Sequence, residues 1–289
     1  MLIDSHHHLW SYSPQEYGWI TAEMAVLRRD FQTPQLDEVA ELAGVDGFVT
    51  VQARQSISET EALLDIARRH RRVLGVVGWL PLASDAVSSD LQRLTQSPWL
   101  KGIRHVVQDE PDERFLLGAD FNRGVAMLPE FGLVYDLLIY GRQLSAAIEF
   151  ADSHTGLPMV LDHIAKPTIR PGDFDHDWEI GFRELAKREH VCCKFSGVVT
   201  EIRQAADQTD WTADTIRRYW DVALEAFTPK RLMFGSDWPV CLLATDYARW
   251  LDTVEQLVAP LSESERAAVM GGNAITTYRL EPDDGNSAA

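Results

Sequence analysis

The sequence predicts an α/β domain of the (β/α)8 class, a TIM-like barrel with allowance for distortion, over residues 1–280 and a disordered tail at 281–289. Three observations carry this prediction. Short β-branched or apolar runs alternate with longer segments of helical periodicity through roughly eight strand–helix units. Right-handed crossovers make consecutive parallel strands neighbours, so a closed barrel takes this order without rearrangement. The first strand is not followed by a Gly-rich phosphate loop, which counts against the doubly wound open sheet. The chain has 289 residues, 45% of them hydrophobic, and nine tryptophans, enough to bury a large core. It carries no internal repeat, low-complexity stretch or Gly/Ser/Pro-rich linker that would divide it.

In order, the strand-like runs are Leu2–His6, Phe48–Ala53, Val73–Leu80, Gly102–Val107, Leu133–Ile139, Met159–Ile164, Val191–Ser196 and Arg231–Ser236. Between them lie helical segments such as Ser58–His70, with Ala62, Leu63, Ile66 and Ala67 at helical spacing, and Gln143–Ser153. The closing residues, Glu281–Ala289, are small and polar and belong to no element.

Forty-four acidic residues against 27 basic ones give a formal charge of −17, a field that repels phosphate backbones and anionic lipid surfaces. Nucleic acid and membrane are therefore not expected as partners, and a small-molecule substrate is. The three cysteines, Cys192, Cys193 and Cys241, are too few for a disulfide framework and lack the C-x-x-C spacing of zinc sites. With no signal-like N-terminus and no apolar run of transmembrane length, the sequence is expected to be cytoplasmic. It leaves monomer and homo-oligomer equally open.

Barrel enzymes place their chemistry at the C-terminal ends of the strands. Here those ends are polar. The first carries His6–His8, the second Gln52, the fourth Arg104 and His105, and the fifth Asp136 followed by Tyr140. The sixth carries Asp162 and His163, the seventh Lys194 and Ser196, and the eighth Ser236 and Asp237. Any one of these alone reads equally well as a strand-end residue facing water; their convergence on one rim points to a site. Side-chain alternation sends His6 and His8 to one side and His7 to the other. Two imidazoles at a barrel mouth serve as metal ligands or polarise a substrate, against the alternative of a buried structural pair. Strand-like Leu2–Ile3 and the flanking Leu9–Trp10 argue against a tag remnant.

Alternation also allows only one of Arg104 and His105 to face inward. Trp79 and Trp238 offer an apolar wall for a sugar ring, or plain packing. Gln52 and Lys194 offer donors to ring hydroxyls, or equally surface and salt-bridged roles. Asp162 is placed to orient a histidine, and Cys192–Cys193 read as core.

The segments IDSHHHLW and LMFGSDWPV resemble the strand-one H-x-H and strand-eight aspartate motifs of the amidohydrolase superfamily. LDHIAKP and KGIRHVVQDEPD are similar to segments of its amidohydrolase-2 group, the fuconolactonase-like hydrolases of sugar and dicarboxy lactones. The likeness runs from the first strand to about residue 275. It implies a site made of His6, His8, His163 and Asp237. The bridging lysine of two-metal members and the strand-five histidine of many one-metal members have no counterparts here. The resemblance thus implies at most a single divalent ion such as Zn²⁺, held by His6, His8 and Asp237 and not essential, so that no cofactor is required.

The activity it implies is hydrolysis of a sugar lactone, L-fuconolactone or a related aldonolactone, to the aldonic acid. Asp237 is the expected base, with His6, His8 and His163 at the carbonyl oxygen. Arg104, His105, Gln52, Trp79, Tyr140, Lys194 and Trp238 are the expected substrate contacts. A metal-dependent decarboxylase and a catalytically silent sugar-binding barrel are the alternatives.

Overall fold

The computed structural model describes residues 1–170, 172–203 and 211–282. Among them runs one eight-stranded parallel sheet whose strands neighbour each other in sequence order. The strands are β1 (Ile3–His7), β2 (Gly47–Val51), β3 (Val73–Gly78), β4 (Leu100–Val106), β5 (Val134–Leu138), β6 (Met159–Leu161), β7 (Val191–Phe195) and β8 (Leu232–Phe234). The sheet closes on itself where His7 bridges Trp238. There the Asp237 N–H donates to the His6 carbonyl at 2.8 Å and the His8 N–H to the Trp238 carbonyl at 2.7 Å.

Helices α1 (Thr33–Ala43), α2 (Ile57–Arg69), α3 (Val87–Leu94), α4 (Ala119–Val125), α5 (Leu144–Ser153), α6 (His176–Leu185), α7 (Ala213–Phe227) and α8 (Tyr247–Val258) follow the strands in turn, and α9 (Glu263–Ala267) and α10 (Asn273–Tyr278) end the described chain. The predicted strands and the two predicted helices all appear, each displaced by a few residues at most. β6 and β8 are shorter than expected because the chain leaves the sheet at Asp162 and Gly235 to build the rim. Of the expected tail, residues 283–289 lie outside the described residues.

Two cores result from strand alternation. Tyr135, Leu137, Met159, Leu161, Cys193, Phe195 and Phe234 face the helices. Val49, Val51, Val77, Val134, Val160 and Met233 fill the barrel interior, which Ala274 and Tyr278 of α10 and Leu280 close from below. Above this apolar layer the inward positions turn polar, as Val134 gives way to Asp136, Val160 to Asp162 and Cys192 to Lys194. No described helix is long and apolar enough to cross a membrane.

Candidate active site

Strict alternation would not let Ile3 of the apolar interior and His6 of the rim face the same way. The pairing of β1 with β2 slips between Asp4 and His7, a β-bulge that corrects the phase. Asp4 holds the bulge by accepting from the N–H groups of His6 at 3.0 Å and Ser236 at 2.9 Å and from the Tyr247 hydroxyl at 3.0 Å. As expected, His6 and His8 then stand together, with ring centroids 5.0 Å apart. His7 turns outward to bond Thr50 at 2.7 Å and pack on Phe48.

A layer of buried charge supports His6 from below. Its Nδ1 lies 3.2 Å from Oδ1 of Asp162, so the aspartate expected to orient a histidine stands beside His6 rather than its neighbour His163. Asp162 also takes Arg104 Nη1 at 2.9 Å and Lys194 Nζ at 3.1 Å. Lys194 is shared with Asp136 at 2.5 Å, and the Tyr278 hydroxyl lies 2.8 Å from both oxygens of that carboxylate. Two cations and two carboxylates thus compensate each other in a region closed to solvent, where an unpaired charge would be strongly destabilising. Burial opposes ionisation of Asp162, but Lys194, His6 and Arg104 hold its carboxyl well below the usual range. Asp136 is pushed up to about 6 by burial, with Lys194 opposing.

His163 arrives on unusual backbone. Residues His163, Ile164, Ala165 and Lys166 have φ of 52°, 47°, 59° and 46°, one turn of left-handed backbone without a glycine. Each such residue costs roughly 1–2 kcal/mol, a strain that persists only where the surroundings enforce it. The buried Trp178 indole N–H, donated to the Ile164 carbonyl at 2.6 Å, is part of that enforcement. Asp237 is left-handed as well, at φ 58°. Between them Gly197, at φ +61°, leaves room that no other residue could, since a Cβ there would lie 2.6 Å from His163 Nδ1 and 2.9 Å from Asp237 Oδ2.

Nδ1 of His163 bonds the Ser196 hydroxyl at 3.0 Å. Burial lowers this imidazole to about 4, so it is neutral at ordinary pH. Burial works to raise Asp237, but His163, His8 and His6 outweigh it and keep the carboxylate ionised.

These groups open into a cavity of about 580 Å³. His8, His163, Asp237, Arg104 and Tyr140 line it, and His6 sits immediately behind, its Nε2 3.3 Å from Arg104 Nη1. Five expected substrate contacts do not line it. His105 faces the helices, where it stacks on Phe115 and bonds Glu110 at 2.7 Å, because Arg104 takes the inward position. Trp79 donates its indole N–H to that same outward His105 at 3.3 Å. Trp238 packs edge-on against Phe31 at the barrel seam. Lys194 is wholly enclosed with its two carboxylates. Gln52 is buried beneath the rim, donating its side-chain N–H to the Arg104 backbone carbonyl at 3.4 Å while its own backbone carbonyl accepts from Arg104 Nη2 at 2.5 Å.

Lining residues that the sequence reading passed over include Trp19, Arg54, Gln108 and Lys166. Arg54 follows β2 and Lys166 lies within the segment LDHIAKP, so strand-end position was the available signal for both. Arg54 is paired with Glu16 at 2.5 Å. Its loop is fastened by the buried Glu59 carboxylate, which accepts from the N–H groups of Ala53 at 3.0 Å and Arg54 at 2.9 Å and from the Tyr17 hydroxyl at 3.2 Å.

Residues 3–280 match the family model described as amidohydrolase. This protein belongs to that family. The amidohydrolase is 41% identical over 98% of its length to an L-fucono-1,5-lactonase of Burkholderia multivorans, 97% of which is covered. It is 33% identical to an L-fucono-1,5-lactonase of Burkholderia ambifaria, over 99% of this chain and 98% of that one. A crystal structure of an amidohydrolase from Burkholderia multivorans with bound zinc superposes with a TM-score of 0.90 at 40% identity, covering 97% of this chain and all of the other.

One set of donors in this amidohydrolase suits a divalent ion. Ligand atoms of His6, His8 and Asp237 lie within 4.8 Å of one another, all buried. His8 Nδ1 donates to the Val51 carbonyl at 2.8 Å and Arg104 Nη1, which can only donate, faces His6 Nε2 at 3.3 Å, so in the neutral rings both Nε2 atoms are acceptors on the cavity side. His8 Nε2 and Asp237 Oδ1, 3.3 Å apart, are then two acceptors that a shared cation or proton would satisfy. The residues therefore fit one metal, with Arg104 competing for the lone pair of His6. A second set, His6, Asp162 and His163, also lies within reach. There Asp162 is already engaged by Arg104 and Lys194.

Proposed function

We propose that this amidohydrolase opens a sugar lactone, L-fucono-1,5-lactone or a related aldonolactone, to the aldonic acid. The observation that carries the reading is a buried carboxylate, Asp237, lining a cavity beside three imidazoles and a guanidinium. The two lactonases named above, similar along nearly the whole chain, supply the substrate class. A water in the cavity gives one proton to Asp237 and turns its other hydrogen to the His8 Nε2 lone pair, leaving its oxygen to attack the ring carbonyl. The carbonyl oxygen gathers negative charge as the tetrahedral adduct forms. The Arg104 guanidinium stabilises it, together with His163 Nε2–H when Nδ1 accepts from Ser196. The ring C–O bond then breaks, and the proton held by Asp237 passes to the departing alkoxide. His6, fixed by Asp162, keeps Arg104 aimed.

A divalent ion held by His6, His8 and Asp237 would add Lewis-acid polarisation of the carbonyl. We infer that the reaction does not require it. A lactone is a reactive electrophile that needs only modest polarisation, and Arg104 already brings positive charge within hydrogen-bonding distance of His6. The deciding experiment follows acid release from L-fucono-1,5-lactone in a pH-stat, with a panel of aldonolactones and aromatic carboxylic acids alongside. Acid release without CO₂ is expected; CO₂ from a carboxylic acid, or silence throughout, would overturn the reading.

A further inference from the structure

The left-handed turn has two ends, and only one is used by the chemistry above. If its purpose were to deliver His163 alone, the backbone could return to ordinary conformations at Ile164. Instead the unusual conformation runs on to Lys166, and both His163 and Lys166 line the same cavity. The Lys166 side chain is 17% exposed, and among the described residues its nearest carboxylate oxygen, on Glu201, stands at 3.7 Å, beyond hydrogen-bond length. Among the described residues its Nζ makes no hydrogen bond, and it lies 5.6 Å from the centre of the Tyr140 ring, another cavity residue. A strained backbone thus holds an ammonium with unengaged N–H donors in the wall of the substrate cavity. Such donors call for oxygen atoms that the described residues do not supply.

Resting on the lactonase reading, we propose that Lys166 is a specificity-determining residue that hydrogen-bonds hydroxyl oxygens of the sugar lactone, on the part of the ring away from the reacting carbonyl. Glu201 sets the direction of the side chain without occupying its donors. The Tyr140 ring gives the cation an electron-rich face, so Lys166 and Tyr140 form one polar and aromatic corner suited to a ring that bears hydroxyls on one side.

The test compares the parent with Lys166→Met and Lys166→Arg on L-fucono-1,5-lactone and on its stereoisomeric aldonolactones, recording KM, kcat and Tm for each. Lys166→Met is expected to raise KM for the preferred lactone about 10–100-fold, the scale of a lost charged hydrogen bond, with kcat changed no more than about threefold. It should also narrow the parent's preference among stereoisomers, and Lys166→Arg should recover part of that preference. A parental KM and parental stereoisomer preference in Lys166→Met would overturn the assignment. So would kcat and Tm falling together, the mark of a purely structural residue. A parent that opens no lactone at all counts against the lactonase reading and, with it, this role for Lys166; a parent that opens lactones with Lys166→Met its equal counts against Lys166 alone.

Discussion

Nε2 of His8 stands 3.3 Å from Oδ1 of Asp237, and with Nδ1 of His8 committed to the Val51 carbonyl, both atoms are acceptors while the His8 ring is neutral. Replacing Asp237 with asparagine puts an N–H donor where a lone pair was, so Asp237→Asn should keep the fold and form a direct hydrogen bond to His8. Without the carboxylate the water has no base, and turnover should fall about 10²-fold or more. Steady-state kinetics with a parallel melting curve check this. Turnover within a few-fold of the parent would assign the base elsewhere.

The same pair bears on metal dependence. Protein stripped with a strong chelator, and shown metal-free by elemental analysis, should still hydrolyse the lactone, and added Zn²⁺ or Mn²⁺ should change the rate little. Activity lost on stripping and restored by one equivalent of metal would make His6, His8 and Asp237 obligatory ligands.

Gly197→Ala tests the close approach of the two strained residues. Its methyl group would sit 2.6 Å from His163 Nδ1, at a φ that a side chain disfavours. The expected result is a stability loss of about 1–3 kcal/mol by denaturant titration and a drop in kcat of about tenfold or more as the imidazole and carboxylate are pushed apart. A fully active Ala variant would show that the geometry around Gly197 tolerates displacement.

Glu59 gives a pH dependence of stability separate from the reacting groups. Burial raises its carboxyl from 4.5 to about 6, despite the N–H groups of Ala53 and Arg54 that oppose the shift. The folded state therefore holds the proton more tightly than the unfolded chain. The associated stabilisation is fully present below pH 4.5 and is lost as pH rises through about 6. Between pH 7.5 and 5 the group should add about 1 kcal/mol on acidification. Glu59→Gln should remove that increment, seen as a smaller change in unfolding free energy over this interval than in the parent. Identical pH dependence in the two proteins would show that Glu59 titrates in the folded protein as it does in the unfolded chain.

Much of the site was legible in the sequence because strand periodicity and strand-end position are local properties. They placed His6, His8, Arg104, His163 and Asp237 on one rim and set His105 against Arg104. The bulge at Asp4 was not legible, since it depends on hydrogen bonds from Ser236 and Tyr247, more than two hundred residues away. Whether Lys194 donates to substrate or sits in a salt bridge was left open for a related reason. An inward lysine on a strand can reach substrate or lie beneath it, and its height in the barrel follows from the register of β7 against its neighbours, which periodicity does not report. For Trp79 and Trp238 the choice between wall and packing was not legible because their partners, His105 and Phe31, lie on other elements. The left-handed turn was hidden because no glycine marks it.

The seam between His7 and Trp238 has a consequence for how the molecule comes into being. His8 and Asp237, separated by 229 positions, meet across it, so the pair we propose to act on the water is also the joint between the first and last strands. Contacts of such sequence separation form slowly. Until β8 docks, a growing chain has six or seven strands with an open edge and no base opposite its histidines. Catalytic competence therefore arrives with ring closure and not before, and enzymatic activity is itself a readout of whether the last strand has found the first.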